Sequence, residues 1–540
     1  MTRLRALAWS AFAVMGAAGA CEDGAATPTP PSPSSASPLC EPGALRPCYD
    51  GPAGTEGVGE CEGGEQTCDA LGRAWGPCVG ARLPEPESCA TDADENCDGL
   101  TTCGETLFSW RFGGERDETV TRIDVGPDGA IYLQGHYRDP IELGGQTLAT
   151  TNGTRDVFVL ALDTDGEVAW VRTFHGPSHL SPRGLAVAAD GRVGVAIGAR
   201  GEVTTEGADP LGGESDDDVV VAVFDGEGSL SWWQRFGDDE GQRPEEVAFL
   251  PDGALVVVGG AAGIIDFGDG PQTSLDAEAD VFVAVFEADG IPRWTRLVAG
   301  IDQQRARAVA VHDDGRIAVV GEAWGQVDFG GGPLTSAGDA DAFVWVMSAD
   351  GEHHFSHRWG DGAFDRAHDV AFDAEGAVML VGRFEGELPV GPDLHASSGG
   401  AAFGIKLSAE GDRLWSHAWG GANGGAYGVA FDSLGRAVVS GFYEDVLAFG
   451  QSALPPGGLL EPQIMVLKLE PDGSPVWGRG WSVKGDQTSS DAFRAWRVVD
   501  VDAEDRIFVA GFVEGAIDFG DDVAHDEPGG ADAFVLTLAP

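Results

Sequence analysis

Lysine is almost missing from this chain. Lys406, Lys468 and Lys484 are the whole supply in 540 residues, and 33 basic residues face 88 acidic ones for a formal charge of −55. A field of that sign repels phosphate backbones and anionic lipid surfaces, which are bound by basic patches, so nucleic-acid binding is disfavoured. The acidity reads as a solvated surface, with divalent-cation binding by some carboxylates as the sharper alternative. Cysteine is missing after Cys103. No apolar run beyond the first 20 residues approaches the ~18 residues of a transmembrane helix. Helical periodicity is missing too, and no Ser-His-Asp or paired-carboxylate arrangement identifies itself, so no catalytic activity can be read from the letters.

The opening "MTRLRALAWSAFAVMGAAGAC" has basic Arg3 and Arg5, an apolar stretch and small residues before Cys21, the layout of an export signal. It resembles a bacterial lipoprotein signal, in which the cysteine after the cut is lipidated. Ala18 stands where leucine is usual, and Ala18-Gly19-Ala20 also suits an ordinary signal peptidase. The resemblance implies a signal peptide over 1–20, a lipidated Cys21, and a lipoprotein of the bacterial outer membrane or cell surface, with secretion as the alternative. Residues 21–39 are rich in Pro, Ser, Ala and Thr and read as a linker. At roughly 3 Å per residue this tether reaches about 50 Å.

With Cys21 assigned to lipid, an even eight cysteines remain: Cys40, Cys48, Cys61, Cys68, Cys78, Cys89, Cys97 and Cys103. They suit four disulfides in an oxidising compartment and leave the pairing open. Residues 40–103 are polar and short of core, so they depend on these cross-links. Within them Asp92, Asp94, Asn96 and Asp98 alternate before Gly99, a spacing at which oxygen ligands can wrap calcium. Cys97 and Cys103 occupy the sixth and twelfth positions, so this is no EF-hand. The stretch resembles the cysteine-rich metal-binding motif of bacterial surface proteins, without the acidic pair usual after the glycine. Calcium and a disulfide-held acidic turn both stay open.

From residue 104 to 540 the chain repeats itself. Phe108, Trp170, Trp232, Trp294, Phe355, Trp415 and Trp477 recur every 60 to 62 residues, and a second aromatic follows four positions later in all units but the fourth, which has Val298. Each unit also carries a hairpin such as "RAVAVHDDGRIAVVG", a stretch often containing "DFG", and a "DAFV" run that turns into the tryptophan strand. Four strands per unit and seven units predict an all-β, seven-bladed β-propeller. These features together resemble the SBBP-type β-propeller repeat of bacterial secreted and surface proteins. The resemblance implies a propeller in an envelope or extracellular setting, and no reaction.

Residues that recur in every blade are expected to be structural. By that test the tryptophans are core, and "DFG", present three times without kinase partners, is a turn or strand edge. His353, His357 and His417 are expected to be structural, because equivalent positions on neighbouring outer strands diverge and cannot converge on one metal. Two links per unit are short Asp-Gly turns, while the other two vary in length and charge. In an up-and-down blade this makes one face of the disc uniform and the other variable. Ligand-rim candidates on the variable face are Arg116, Asp117, Asp238, Asp239, Glu240, Asp302, Gln303, Asp361, Asp365, Asn423 and Asp486.

The last unit breaks off after "ADAFVLTLAP", without its aromatic strand, and the first begins with "TLFSWRFGG", without a "DAFV" partner. The two are expected to complete one shared blade and close the ring. The leading functional expectation is a monomeric, non-catalytic binding, adhesion or scaffold protein that engages an extracellular protein or carbohydrate, touching the membrane through its lipid anchor only. Apart from calcium, no cofactor is expected. The alternatives are a polysaccharide hydrolase or lyase of the cell envelope and a structural calcium-binding component.

Overall fold

In the computed structural model each repeat becomes one antiparallel sheet, and the reason lies in its middle strands. Stretches such as Asp156–Leu162 and Asp218–Phe224 are buried at every position. A strand that is apolar without alternation must be covered on both faces, and stacking sheets radially does this. Val219, Val221 and Val223 pack toward the following blade with Leu255, Val257 and Phe282, whereas Val220, Ala222 and Phe224 pack toward the preceding one with Val157, Val159 and Phe174. Every neighbouring pair of blades shares one such apolar cluster. The described residues are 39–51, 56–83, 93, 103–114, 116–150, 153–213, 217–275, 278–420, 423–449, 452–454, 463–484, 499–520 and 530–540.

The fold is a seven-bladed β-propeller built wholly from strands. Blade 1 runs from the innermost strand Thr119–Val125 through Ile131–Tyr137 and Asp156–Leu162 to a fourth strand, Val168–His175, with the short Thr204–Thr205 paired at its outer edge. Blades 2 to 6 repeat the four-strand order, with innermost strands Ser181–Val187, Gln242–Phe249, Gln304–Val311, Arg366–Phe372 and Gly424–Phe431. Blade 7 takes Val499–Val501, Ile507–Val513 and Asp532–Leu538 from the end of the chain and its outermost strand, Thr106–Phe112, from far upstream. The pairing is antiparallel, from Thr106 opposite Leu538 to Phe112 opposite Ala533. The expected shared blade is therefore present.

The recurring letters acquire structural duties. Indole Nε1 of Trp170, Trp232, Trp294 and Trp415 donates to the turn carbonyls of Gly226, Ala288, Ala349 and Pro471 in the next blade, at 2.9–3.1 Å. These rings are straps between blades as much as core, and Phe108, at the same position in the closing strand, is 43% exposed. His357 Nε2 bonds Gly411 O at 2.9 Å in the same manner. In each "DFG" the aspartate accepts backbone N–H bonds from the residues after it, while Phe267, Phe329 and Phe519 are buried. The hairpin glycines adopt the positive φ expected of them, with one change. In blade 2 the turn residue is Gly228, at φ 78°, and not Gly226.

Cα packing divides the chain into two compact units, with Cys61–Leu83 and the described residues from 39 to 57 in the first, and the propeller in the second. In the first, Leu45–Cys48 pairs with Gly64–Thr67, and disulfides join Cys40 to Cys68 and Cys48 to Cys78. Cys61 and Cys103 are also disulfide-bonded. Cys21, Cys89, Cys97 and the candidate calcium ligands Asp92, Asp94, Asn96 and Asp98 lie outside the described residues.

Candidate functional site

The innermost strands surround the propeller axis, and six of them carry a β-bulge at the same place. A bulge adds one residue and re-aims the side chain there. The residues in question are Thr121, Arg183, Glu245, Arg307, His368 and Tyr427. The backbone irregularity repeats, and the chemistry does not.

Around these positions the side chains meet across blades. Glu245 is buried, with Arg183 at 3.4 Å, Arg243 at 3.2 Å and Arg307 at 3.9 Å. Arg307 is also paired with Glu322. Arg122 of blade 1 reaches past blade 2 to Glu246 of blade 3 at 2.5 Å, a crossing that only the axis permits. Gly184 lets the innermost strands of blades 2 and 3 approach closely here, since a Cβ there would meet Val247 N at 2.8 Å. On the opposite side His368 stacks on Tyr427, ring centroids 4.2 Å apart. Arg366 lies 4.3 Å from the centre of the Phe364 ring, which in turn contacts Trp324. Trp324 and Phe364 belong to the loops of the variable face, so this cluster forms the channel mouth on that face.

Electrostatics set the mouth apart from the rest of the acidic molecule. Burial, and beyond Glu245 the neighbouring charges of Arg243, Arg122 and Arg307, bring Arg183 down to about 10. Burial and Arg307 lower Arg305, and burial lowers Arg366. Among the described residues, Nε of Arg183 and Nε of Arg366 are buried without a hydrogen-bond partner.

Beyond the Arg122–Glu246 pair the channel widens into a cavity of about 510 Å³ that extends to the uniform face, lined by all seven innermost strands. One position in this lining is Ala186, Ala248, Ala310, Ala371 and Ala430 in five blades, but Asp124 and Asp500 in the adjacent blades 1 and 7. Asp124 Oδ2 accepts from Val187 N and Asp500 Oδ2 from Val125 N, both at 2.7 Å. The two carboxyl groups hydrogen-bond each other. Burial raises both above ordinary aspartate, helped in Asp124 by the charge of Asp500 and in Asp500 by that of Asp502.

The rim candidates named from sequence serve mainly as loop braces. Arg116 pairs with Asp139 and Asp117 with Arg138. Asp238 accepts from Gln242 Nε2 at 2.6 Å and Ile264 N at 2.9 Å, and Asp361 from Ala363 N and Glu387 N. Gln303 O accepts from Trp324 N, and Asn423 bridges Arg383 and Glu444. Asp365 is fully buried beneath its loops. Asp239, Glu240 and Asp302 are exposed, the last at φ 64°. Asp486 lies outside the described residues. Sequence reading missed the arginine mouth and the Asp124–Asp500 pair, and a column-by-column comparison of the innermost strands is the signal that finds both. Among the described residues no group of three or more His, Cys, Asp or Glu side chains is arranged to hold a metal ion.

No family model matches the chain. A stretch of 200 residues, 36% of the chain, is 26% identical to the regulatory protein FlaEY of Caulobacter vibrioides and covers 20% of it, so the chain spans about a fifth of that relative's length. Similar solved structures include a catalytically inactive virginiamycin B lyase from Staphylococcus aureus with quinupristin, at 10% identity and TM-score 0.38 over 80% of this chain and 99% of that one. Others are YCF48 from Cyanidioschyzon merolae (12%, TM-score 0.36, 80% and 99%) and a gluconolactonase from Xanthomonas campestris (16%, TM-score 0.28, 61% and 94%).

Proposed function

We propose that this is an exported, surface-anchored binding protein without catalytic activity, which engages an extracellular carbohydrate or protein at the variable face of its propeller. The carrying observation is the ring of bulge residues at the channel mouth, where a repeated backbone presents unrepeated chemistry (Arg183, Glu245, Arg307, His368, Tyr427). A site whose backbone repeats while its side chains run Thr121, Arg183, Glu245, Arg307, His368 and Tyr427 around the axis contacts one ligand asymmetrically. Its carboxylates are already engaged, Glu245 by three guanidiniums and Glu322 by Arg307. That favours binding over acid–base chemistry at this mouth. The anchor is Cys21, and Asp92, Asp94, Asn96 and Asp98 take up calcium in the cysteine-rich segment.

A second reading, an envelope hydrolase or lyase, is favoured by the hydrogen-bonded Asp124–Asp500 pair in the cavity at the other end of the channel. A glycan and protein array with parallel product detection separates the two. Binding without product is expected, and turnover that Asp124→Asn abolishes would transfer the function to the cavity. Calcium titration with and without Asp92→Ala tests the metal site, and equal affinities would remove it.

A further inference from the structure

The chain has only 33 basic residues against 88 acids, yet Arg183, Arg243, Arg305, Arg307 and Arg366 come from four consecutive blades to one mouth. Against them stand Glu245 and Glu322, which leaves a local surplus of positive charge. Like charges this close repel unless an anion joins them, and the depressed Arg183, Arg305 and Arg366 register that repulsion along with their burial. Arg243 is the accessible member, with 45% of its side chain exposed, and Arg305 is half-buried beside it. Aromatic side chains flank the arginines, with Trp324 against Phe364, Phe364 under Arg366, and Tyr427 on His368.

Resting on the reading of this face as a binding face, we infer that the mouth takes a uronate-bearing glycan: Arg243, Arg305 and Arg366 hold its carboxylates, and Trp324 and Phe364 carry its sugar faces. A guanidinium matches a carboxylate with two parallel N–H···O bonds, and its planar fork favours this anion over a point-like charge. The aromatic rings offer flat apolar surface beside the charge, which suits the C–H faces of a sugar ring and adds nothing for a bare inorganic anion. Over most of the surface the field of a chain with net charge −55 opposes a polyanion, so an acidic glycan is held at the arginines of this mouth and not along the acidic loops.

The test is calorimetric titration of the full chain with oligogalacturonate, with a neutral galactose oligomer and with an oligoglutamate peptide, on the parent, on the double variant Arg243→Gln/Arg305→Gln and on Trp324→Ala. The parent binds oligogalacturonate, and each variant binds it about tenfold or more weakly while keeping the parental thermal unfolding. Equal affinity in parent and double variant overturns the site. Preference for the neutral oligomer overturns the uronate assignment and leaves the binding-protein reading intact, and preference for the peptide overturns the glycan. No binding to any of the three, with an empty glycan and protein array, overturns both.

Discussion

Arg111 and Asp532 are 421 residues apart in the chain, yet Arg111 Nε donates to Asp532 Oδ2 at 2.8 Å inside blade 7. Both side chains are almost wholly buried. Asp532 opens its "DAFV" strand, and the same position forms Asp218–Arg235 and Asp341–Arg358 within the chain-continuous blades 2 and 4. The seam is thus held by the same device as a blade made from one continuous segment. Removing one member of a buried ion pair leaves the other charge without its partner, at a cost of about 3–5 kcal/mol. Arg111→Met is expected to lower stability by that amount and to speed amide hydrogen exchange across Asp532–Leu538. Deleting residues 105–113 should do so more strongly. Unchanged exchange in that strand would mean that closure does not depend on the seam.

Two of the three lysines are buried. Lys406 sits 2.8 Å from Asp373, and the fully buried Lys468 sits 2.9 Å from Asp432. Both aspartates begin the turn after an innermost strand, but Asp432 also holds Arg436 at 2.6 Å. Among the described residues Lys406 is the one cation paired with Asp373. Lys406→Met is therefore expected to cost several kcal/mol, and Lys468→Met roughly half as much, because Asp432 keeps a cation. Urea denaturation of the two variants checks the order, and a larger loss in Lys468→Met would refute the account.

The blades were legible in the sequence because burial on both faces turns a middle strand into a plain apolar run, as in Asp218–Phe224, and the aromatic after it marks the period. The channel was not. Alternation assigns Glu245 to a face by counting from Gln242, and the bulge between Pro244 and Glu246 breaks that count. The Arg122–Glu246 pair joins blades 1 and 3 across the axis, a contact with no local signature. Asp365 was expected at the rim from its charge and loop setting, but it is the residue that ties two loops from below, accepting from Asp361 N and Glu385 N. Applied to the innermost strands instead of the loops, the comparison of recurring with unique residues picks out the bulge column and the Asp124–Asp500 pair.

The cysteine-rich unit should come apart independently of the propeller. Cys40–Cys68 and Cys48–Cys78 close loops with sequence separations of 28 and 30, each worth about 3.6 kcal/mol in chain entropy. Beyond the cross-links the unit has one short strand pair and three isolated bridges, with Leu45 and Leu71 exposed. Reduction with a thiol is expected to abolish amide protection over residues 39–83 and to leave the propeller transition in place. Retained protection after complete reduction, verified by mass spectrometry, would show that the strand pair stands without its cross-links.

Asp365 and Glu118 give the propeller a defined response to pH. They hold equivalent positions, one residue before the innermost strands of blades 5 and 1, and both are fully buried. Burial outweighs the backbone N–H bonds they accept and pushes each up to about 7. The unfolded chain gives up these protons near pH 4, so between about 4 and 7 the native state binds more protons than the unfolded one, and stability falls as pH rises through that window. Asp124 and Asp500 act in the same direction, so the informative quantity is the difference between variant and parent. Blades 3 and 4 already carry Gln242 and Gln304 at this position, each hydrogen-bonded to the surrounding loops. Glu118→Gln is expected to match the parent's thermal midpoint at pH 4, to exceed it at pH 8, and to show a flatter profile between. A midpoint below the parent's at pH 8 would mean that Glu118 is held as a carboxylate, and that its charge stabilises the loop it braces.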